Sequence, residues 1–390
     1  MNILFAANGF IERGKPKQGF PNYLYRVSCA LQDMGHKVIV VACGDKSAHR
    51  FVDGIEVYDV AVYYSDISPK WVDVLVNDIR ASWCVNRKIK EILQNTKIDI
   101  IQFTTLQSIG LLYYGKTPAV MRLSAYTKHY YATFSTMAEK TVKIRSFFEI
   151  MAGKRCNAVF GPSRVEAKAY EEDFHKKVYV IETPFVNDVK QYDCRIVEQQ
   201  LQDKKYVLFF GLLYYEKGIL TIAEMLECFL ANHKDYFWVF AGKISTIKGK
   251  NAARILSEAA GAYSDRIIFT GALPHEQLYP VIQNAEFVVL PSIMDNFPNA
   301  CIEAMYFSKI VIGTDGASFE QLIQDGVNGY LCKIGDASDL LRKVEEAVAL
   351  PQETKKQMEA RAHKRIERLK PECVVKQLLK FYECVIRRVK

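Results

Sequence analysis

Two carboxylates and the turn between them are the part of the sequence with the clearest chemistry. Asp295 follows the short apolar run 287–290, and Glu303 lies eight residues further along. Pro298, between them, is typical of the first turn of a helix, whose unpaired N–H groups attract phosphate. If 287–290 is a strand, Asp295 lies beyond its carboxyl end, where doubly wound sheets bind ligands. The segment therefore predicts a turn whose amides bind a diphosphate while the two acids bind sugar hydroxyls.

Each acid also has an ordinary explanation. Asp295 fits a helix-capping residue, since acids are favoured just before a helix. Glu303 fits a solvated position on a helix surface. Its neighbours favour a function, because the surrounding stretch ACIEAM is small and apolar and a buried carboxylate is costly there. We therefore expect Glu303 to have a partner or a ligand.

Lys217 is the candidate cation. It belongs to the stretch 206–220, YVLFFGLLYYEKGIL, which predicts a buried strand ending at Gly211, a loop and the start of a helix. The dipole at a helix N-terminus disfavours a lysine unless an anion binds there as well. A solvated lysine is the alternative. The pattern favours a phosphate site formed by Lys217 and the turn at Gly211.

Short β-branched runs alternate with amphipathic stretches along the whole chain. This alternation is typical of parallel sheets joined by crossover helices, so both halves are predicted to be α/β. The clearest helices are predicted over 22–34 and 72–93, and an apolar period close to 3.6 predicts a last helix after Pro371. Strands are predicted over 2–6, 37–43, 55–62, 98–103, 119–123, 158–160, 178–181, 206–210, 237–240, 267–269, 287–290, 310–312 and 330–331.

Two domains are expected, since a chain of 390 residues can bury two cores of ordinary size. The stretch 183–204 contains Pro184, several Asp and Gln and little apolar periodicity, which is typical of a linker. We predict an N-terminal domain, a linker, a C-terminal domain and a final helix over 1–185, 186–204, 205–370 and 371–390.

The motifs resemble those of family 4 of the retaining glycosyltransferases, which have the GT-B fold. The resemblance is carried by the acids at 295 and 303, EAM at 303–305, VIGTDG at 311–316 and DGVNG at 325–329. It implies two Rossmann-like, doubly wound parallel-sheet domains facing each other across a cleft. The acceptor is then expected on the N-terminal side and a nucleotide-sugar donor on the C-terminal side, with the last helix crossing back to the N-terminal domain.

The resemblance also implies a role for each residue of the site. Asp295 is expected at the donor sugar and Glu303 at the ribose hydroxyls. Lys217 is expected to neutralise the leaving diphosphate. The backbone expected at the phosphates belongs to the turn of Phe297, Pro298 and Asn299.

The sequence departs from the family's pattern at four places. Asp295 replaces the more usual glutamate and is one methylene shorter. Leu212 stands where an arginine usually accompanies the lysine. In the N-terminal loop only Gly19 matches a pair of glycines that admit the donor phosphate, since Gln18 occupies the other position. Ser124 replaces a histidine that usually contacts the donor sugar.

Two residues near Ser124 are further candidates for contacts with a sugar or an acceptor. Arg122 ends the predicted strand 119–123, and His129 follows five residues after Ser124. An ordinary surface histidine is the alternative for His129. Lys15 and Lys17, in the N-terminal loop, fit ordinary surface lysines.

The formal charge of +8 is concentrated in the N-terminal half. Residues 1–190 contain 26 basic and 19 acidic side chains, against 26 and 25 in residues 191–390. Within 116–168 ten basic residues accompany three acids, which suits an anionic membrane surface or an anionic acceptor, and a solvated surface equally well. Nucleic acid is not expected as a partner, because no recognised basic motif with stacking aromatics or helix-turn-helix spacing occurs.

The cysteines and the N-terminus indicate the compartment. The ten cysteines are scattered without a C-x-x-C pair, so we expect reduced core thiols rather than disulfides or metal ligands. The sequence begins with a predicted strand rather than a signal peptide, and no run is long and apolar enough to span a membrane. We expect a cytoplasmic protein, or one peripheral on the inner face of the membrane.

These features predict a metal-independent, retaining glycosyltransferase without a cofactor. It is expected to move a sugar from a nucleoside diphosphate sugar to a hydroxyl of a glycan or lipid-linked acceptor, as in cell-surface polysaccharide biosynthesis. One alternative is a non-catalytic subunit that binds nucleotide sugars, which the residues at 212 and 124 suggest. A sugar-nucleotide epimerase of the same fold is the other.

Overall fold

The computed structural model describes residues 1–11, 19–133 and 138–389, and the chain divides into two compact units. The N-terminal unit consists of Met1–Pro184 and Leu369–Lys390, and the C-terminal unit consists of Phe185–Arg368. The final helix therefore belongs to the N-terminal unit. The segment 186–204 belongs to the C-terminal unit, where the backbone N–H of Asp193 donates to Glu276 O at 2.9 Å.

The described part of the N-terminal unit contains eight strands and six α-helices. The strands are β1 (Asn2–Ala7), β2 (Lys37–Gly44), β3 (Ala48–Val52), β4 (Ile55–Ala61), β5 (Ile100–Thr104), β6 (Ala119–Arg122), β7 (Ala158–Gly161) and β8 (Val178–Val180). The helices are α1 (Gly19–Asp33), α2 (Lys70–Asn95), α3 (Thr127–Thr133), α4 (Glu139–Lys154), α5 (Arg164–Phe174) and, at the end of the chain, α12 (Pro371–Val389).

The eight strands form one sheet in the order β3-β4-β2-β1-β5-β6-β7-β8. All neighbours are parallel except β3 and β4, an antiparallel hairpin whose turn places Asp53 and Gly54 at φ 47° and 81°. Apolar side chains cover both faces of the sheet. One core cluster lies under α1 and α12, and a second lies under α2, α4 and α5.

The C-terminal unit contains the remaining strands and helices. The strands are β9 (Lys205–Phe210), β10 (Tyr236–Ala241), β11 (Thr246–Ile247), β12 (Lys250–Asn251), β13 (Ile267–Gly271), β14 (Phe287–Leu290), β15 (Val311–Asp315) and β16 (Tyr330–Lys333). The helices are α6 (Ile219–Asn232), α7 (Ala252–Ala259), α8 (His275–Asn284), α9 (Asn299–Tyr306), α10 (Ala337–Val348) and α11 (Gln352–Glu367).

Six of these strands form a parallel sheet in the order β13-β10-β9-β14-β15-β16, and β11 and β12 pair as a small hairpin. Numbered within the sheet, the order is 3-2-1-4-5-6, that of a doubly wound dinucleotide-binding fold. The predicted α/β class with two doubly wound parallel sheets is confirmed. All thirteen strands predicted from the sequence are present, whereas the hairpin strands β3, β11 and β12 were not predicted.

The expectation that the cysteines are core thiols is only partly right. All ten are unpaired thiols in the structure, but four of them are exposed. Two of the buried thiols lie in strands β2 and β16, one lies on α9, and one lies in the turn between α4 and β7. The buried cysteines are Cys43, Cys156, Cys301 and Cys332, and the exposed ones are Cys194, Cys228, Cys373 and Cys384.

Candidate active site

The site of the C-terminal unit lies where its strand order reverses. β9 and β14 are neighbours in the sheet although four strands separate them along the chain. The chain connects β9 to β10 on one side of this pair and β14 to β15 on the other side. Such a reversal opens a crevice beyond the carboxyl ends of the two strands. The short 3-10 turn Tyr215–Lys217 follows β9, and the loop 291–298 follows β14. The crevice therefore brings Lys217 and Asp295 together.

Tight backbone contacts hold these two loops against each other. The N–H of Ile293 donates to Glu216 O at 2.8 Å. Gly218, at φ 74°, lies so close to the other loop that a Cβ there would be 1.8 Å from Pro291 O. Only glycine fits this position, because the backbone is left-handed and the carbonyl occupies the space of a side chain. The contact fixes the turn that carries Lys217.

Lys217 and Asp295 form an ion pair. The Lys217 Nζ atom lies 2.6 Å from Asp295 Oδ2, and the two side chains are 34% and 19% exposed. The backbone of Asp295 is held too, because the buried hydroxyl of Ser318 donates to Asp295 O at 2.9 Å. Asp295 is therefore not a helix-capping residue, the ordinary explanation considered for it. It is a half-buried carboxylate in contact with the predicted phosphate-binding lysine.

The turn 297–299 leads into α9, as the position of Pro298 predicted. Pro298 stands just before the helix rather than within its first turn, and no side chain caps the helix. The Phe297 side chain is buried, whereas Asn299 is exposed. With neither a side-chain cap nor an acid in the first turn, the N-terminal amides of α9 keep the partial positive charge that attracts anions.

Glu303 lies in the second turn of α9 with its side chain only 14% exposed. This burial is inconsistent with a solvated surface position, the ordinary explanation for this acid. The Nε2 atom of His275, the first residue of α8, lies 3.6 Å from Glu303 Oε1, and the imidazole stacks on the ring of Tyr279. No sequence pattern pointed to His275, which lies well outside the motifs of the site.

Gly211 ends β9 in a conformation that requires glycine, with φ at 129°. Its carbonyl approaches Gly242, at the end of β10, so closely that a Cβ on Gly242 would be 1.6 Å away. The ends of β9 and β10 are thus packed backbone to backbone. Gly211 lies on the side of β9 that faces β10, opposite to the ion pair.

The three candidates at the end of β6 lie in the N-terminal unit. Arg122 is only 5% exposed and its guanidinium stacks on the ring of Tyr23, 3.7 Å from the centroid. Its Nη2 atom donates to Thr183 Oγ1 at 3.0 Å, and its Nη1 atom donates to Ser124 Oγ at 3.3 Å. Burial lowers the pKa of Arg122. Arg122 therefore positions Ser124 from beneath rather than presenting an open guanidinium.

His129 is held by a buried carboxylate. Its Nδ1 atom lies 3.1 Å from Glu166 Oε2, and Glu166 is 5% exposed. The hydrogen bond to Glu166 raises the pKa of His129. The histidine side chain is about a quarter exposed at the surface of this unit. Glu166 had no signal in the sequence, because the pairing depends on the packing of α5 against α3.

Gly19 is the first residue of α1 and has a φ of 62°. Lys15, Lys17 and Gln18 lie outside the described residues. Among the side chains of residues 1–11, 19–133 and 138–389, no group of three His, Cys, Asp or Glu residues has an arrangement that could hold a metal ion. In the same part of the chain, no helix has the length and apolar character needed to cross a membrane.

Two family models match consecutive parts of the chain. Residues 18–185 match the model described as Glycosyltransferase Family 4, and residues 195–365 match the model described as Glycosyl transferases group 1. The second match contains the ion pair and Glu303. Together the matches account for most of both units.

The individual relatives have low sequence identity to the chain. Over 172 residues the chain is 27% identical to an alpha-D-kanosaminyltransferase of Streptomyces kanamyceticus, a match that covers 43% of each protein. Over 378 residues it is 22% identical to a phosphatidyl-myo-inositol mannosyltransferase of Mycolicibacterium smegmatis, which covers 94% of this chain and 90% of the relative.

Solved structures match the fold of the chain over nearly its whole length. A sucrose-phosphate synthase from Thermosynechococcus elongatus matches with a TM-score of 0.74 over 100% of both chains at 16% identity. An alpha,alpha-trehalose-phosphate synthase from Burkholderia vietnamiensis matches with a TM-score of 0.72 over 98% of both chains at 10% identity. At such identities the likeness establishes the fold alone.

Proposed function

The chain belongs to the glycosyltransferases that the Glycosyltransferase Family 4 and Glycosyl transferases group 1 models describe, and we propose that it transfers a sugar from a nucleoside diphosphate sugar to an acceptor hydroxyl with retention of the anomeric configuration. The observation that supports this most is the ion pair of Lys217 and Asp295 at the strand-order reversal of the C-terminal unit. The largely buried Glu303 on the following helix α9 supports it as well. We propose residues 205–370 as the donor side and 1–185 as the acceptor side.

The proposed donor site uses charge and position rather than a covalent intermediate. The amides at the start of α9 and the ammonium of Lys217 stabilise the diphosphate as negative charge develops on it. Asp295 binds a hydroxyl of the donor sugar, and Glu303 binds the ribose hydroxyls. Gly211 and Gly19 let the backbone approach the donor closely. The departing phosphate accepts the proton of the acceptor hydroxyl, so no further base is required.

Donor turnover distinguishes this function from its alternatives. Purified protein is incubated with UDP-, GDP- and ADP-sugars, with and without lipid and glycan extracts, and released nucleoside diphosphate is measured. We expect one donor to raise the melting temperature, since a ligand that binds only the folded state stabilises it, and to release diphosphate when acceptor is present. Binding without any release would favour a non-catalytic subunit. Interconversion of donor sugars without acceptor would favour an epimerase.

A glycan or lipid-linked molecule is the proposed acceptor. Several relatives that match this chain carry names that state a lipid acceptor, among them the mannosyltransferase of Mycolicibacterium smegmatis and a cellobiosyl-diphosphopolyprenol alpha-mannosyltransferase of Xanthomonas campestris. In this chain, Ser124 and His129 are the proposed acceptor contacts, and Arg122 acts by holding Ser124. The raised pKa of His129 keeps it cationic at higher pH, which suits an acceptor carrying phosphate.

The surface formed by α2 and α4 supports the proposal that the protein binds to a membrane surface. Both helices pack on the same face of the N-terminal sheet and contact each other, so their outer stripes lie side by side. On α2, Ile79 and Trp83 are 38% and 55% exposed and lie one turn apart. On α4, Phe147 is 60% exposed. Exposed tryptophan and phenylalanine on neighbouring helices are typical of surfaces that insert into the interfacial layer of a bilayer.

Basic side chains accompany these apolar ones. Arg87 lies over the ring of Trp83, and Lys140 lies 3.8 Å from the ring centroid of Trp71. The two helices carry nine Lys or Arg residues and five acids, and two of those acids, Asp78 and Glu149, are buried. The exposed charge is therefore strongly positive. We propose that this α2–α4 surface binds anionic lipid headgroups.

Vesicle sedimentation tests the proposed α2–α4 surface. We expect the protein to sediment with phosphatidylglycerol vesicles at low salt, to be released at high salt, and to ignore pure phosphatidylcholine vesicles. The double variant Trp83→Ser, Phe147→Ser should lose most of this binding. Phe51→Ser is the matched control, because Phe51 is 67% exposed on the edge strand β3. The proposed surface would be refuted if the double variant and the Phe51→Ser control bound the vesicles equally well, or if the unaltered protein did not bind them at all.

A further inference from the structure

The strands β9 and β10 stay paired beyond their ends. The N–H of Gly211 donates to Ala241 O at 3.0 Å, and the N–H of Leu213 donates to Lys243 O at 3.0 Å. Leu213 and Ile244 form an isolated parallel bridge. The loop that leads to Lys217 therefore runs beside the segment 242–244 at the carboxyl edge of the sheet.

The register of this extension places Lys243 opposite Leu212. Phe210 pairs with Ala241 at the end of the strands, and Leu213 pairs with Ile244 three residues later. Counting between these pairs brings Leu212 level with Lys243. Side chains at paired positions of neighbouring parallel strands point to the same side, since each strand alternates with the same period. Both side chains are exposed, and that of Leu212 is 53% exposed.

Lys243 is a cation without a partner in the described part of the chain. Across residues 1–11, 19–133 and 138–389 its side chain forms no hydrogen bond and no ion pair. The segment 242–251, GKISTIKGKN, contains no acid that could neutralise it. Lys217 differs in this respect, because Asp295 already pairs with it. An unneutralised ammonium thus lies at the same edge of the sheet as the ion pair.

The charges of the proposed donor site call for such a group. The carboxylates of Asp295 and Glu303 offset the ammonium of Lys217 and the imidazole of His275, so these side chains offer an anion no net positive charge. A diphosphate adds further negative charge. The N-terminus of α9 contributes about half a positive charge, which does not balance the sum. A second cation near the phosphates would restore attraction.

We infer that Lys243 binds a phosphate of the donor and supplies the positive charge that Leu212 does not. The inference rests on the proposed function. Neighbouring strands lie about 4.8 Å apart, so the end of β10 is about 10 Å from that of β14, a span that a nucleoside diphosphate sugar covers. Lys243 approaches from the β10 side of β9 and Lys217 from the β14 side. The diphosphate then lies between two ammonium groups.

Binding of nucleoside diphosphates to the Lys243→Gln variant tests this inference. The probe is whichever of UDP, GDP and ADP stabilises the unaltered protein. A charge-assisted contact to phosphate is worth about a tenfold change in Kd or more, so the variant should bind the diphosphate about tenfold more weakly. The matching nucleoside, which has no phosphate, should bind both proteins equally. Lys248→Gln, in the exposed turn of the β11–β12 hairpin, is the matched control.

The register predicts a rescue. Adding Leu212→Arg to the Lys243→Gln variant places a cation at the paired position on the same side, so the double variant should regain most of the lost affinity. Normal diphosphate binding by Lys243→Gln, or an equal loss of nucleoside binding, would overturn the inference while leaving the proposed function intact. If no nucleoside diphosphate binds the unaltered protein, both the inference and the proposed donor site fail.

Discussion

The ammonium of Lys217 lies 2.6 Å from the carboxylate of Asp295, although 78 positions separate the two residues in the chain. Each residue stands in the loop after one of the two strands that flank the strand-order reversal. The pair holds the lysine in place before a donor arrives and lowers its effective charge. Donor phosphate must therefore compete with Asp295 for Lys217, and this competition makes the pair the most informative place to alter.

Replacing Lys217 by Met should abolish most turnover while leaving the fold intact. Removing one charge that stabilises a leaving group costs about a hundredfold in kcat or more. The half-exposed ion pair itself contributes about 1 kcal/mol or less to stability. We therefore expect kcat to collapse with a nearly unchanged melting temperature. The matched control is Lys205→Met. It removes the exposed ion pair of Lys205 with Asp235, which lies at the amino end of β9 rather than at its carboxyl end. Equal losses in the two variants would contradict the proposed role of Lys217.

The Asp295→Asn variant separates two proposed effects of Asp295, which are its pairing with Lys217 and its binding of the donor sugar. The variant frees Lys217 for phosphate and removes the acid proposed to bind the donor sugar. Nucleoside diphosphate should therefore bind at least as tightly as to the unaltered protein, whereas kcat with the complete donor sugar should fall. Calorimetry with the diphosphate and a turnover assay with the donor check the two halves. Weaker diphosphate binding would mean that Asp295 serves to position Lys217 rather than to restrain it.

The fold was predictable because its parallel strands are buried on both faces. Such strands are near-continuous apolar runs, and every predicted run is a strand in the structure. β3 was not predicted, because the sequence AHRFV is half polar and mostly exposed on the edge of the sheet. The Asp53–Gly54 turn that follows it is a strong hairpin signal and could have identified the strand.

The sequence predicted the individual loops of the site but not the contacts between them. The sequence placed Lys217 and Asp295 each after a strand, but their contact depends on β9 and β14 being neighbours, which no local pattern encodes. The partners His275 and Ser318 could not be inferred for the same reason, since each comes from another loop of the sheet. The register of Lys243 with Leu212 likewise exists only once β9 and β10 are paired.

Glu303→Gln should weaken donor binding without destabilising the protein. The glutamine keeps the volume of a side chain that is largely buried, but loses the charge that would accept hydrogen bonds from ribose hydroxyls. Hydrogen bonds to a charged group contribute about 1.5–3 kcal/mol, so Kd for the nucleoside diphosphate should rise by about tenfold or more. The matching 2′,3′-dideoxynucleotide, which lacks both hydroxyls, should bind the two proteins alike. Equal losses for both nucleotides would place Glu303 away from the ribose.

Stability of the N-terminal unit should fall as pH rises from about 6 to 8, mainly because of Glu149. This acid is 4% exposed and accepts hydrogen bonds from both the N–H and the hydroxyl of Thr127. Burial raises its pKa to about 8 against the hydrogen bonds from Thr127 and the charge of Arg145, and the neighbouring Asp78 adds to the increase. Between the unfolded pKa of 4.5 and about 8, the folded state holds a proton that the unfolded state has lost. Stability then decreases by about 1 kcal/mol per pH unit.

Melting temperatures of Glu149→Gln across this range check the assignment. The amide has no proton to lose and can still pair with Thr127, so the decline between pH 6 and 8 should be shallower than in the unaltered protein. His129 keeps a part of the slope, because its raised pKa also makes stability fall as pH increases. Glu139→Gln is the control on the same helix. Its exposed acid has a lowered pKa and affects stability only at more acidic pH. An unchanged slope in Glu149→Gln would refute the assignment.

Gly218→Ala should damage both stability and donor binding. At φ 74° the left-handed backbone alone costs a non-glycine residue about 1–2 kcal/mol. The new methyl would also lie 1.8 Å from Pro291 O, so the two loops that carry Lys217 and Asp295 must separate. Gly249→Ala isolates the first effect, because Gly249 has a φ of 80° with nothing within 4 Å of a Cβ. We expect a small drop in melting temperature with normal nucleotide binding for Gly249→Ala, and a larger drop with lost binding for Gly218→Ala. If the two alanines behave alike, the close packing of these loops does not support the site.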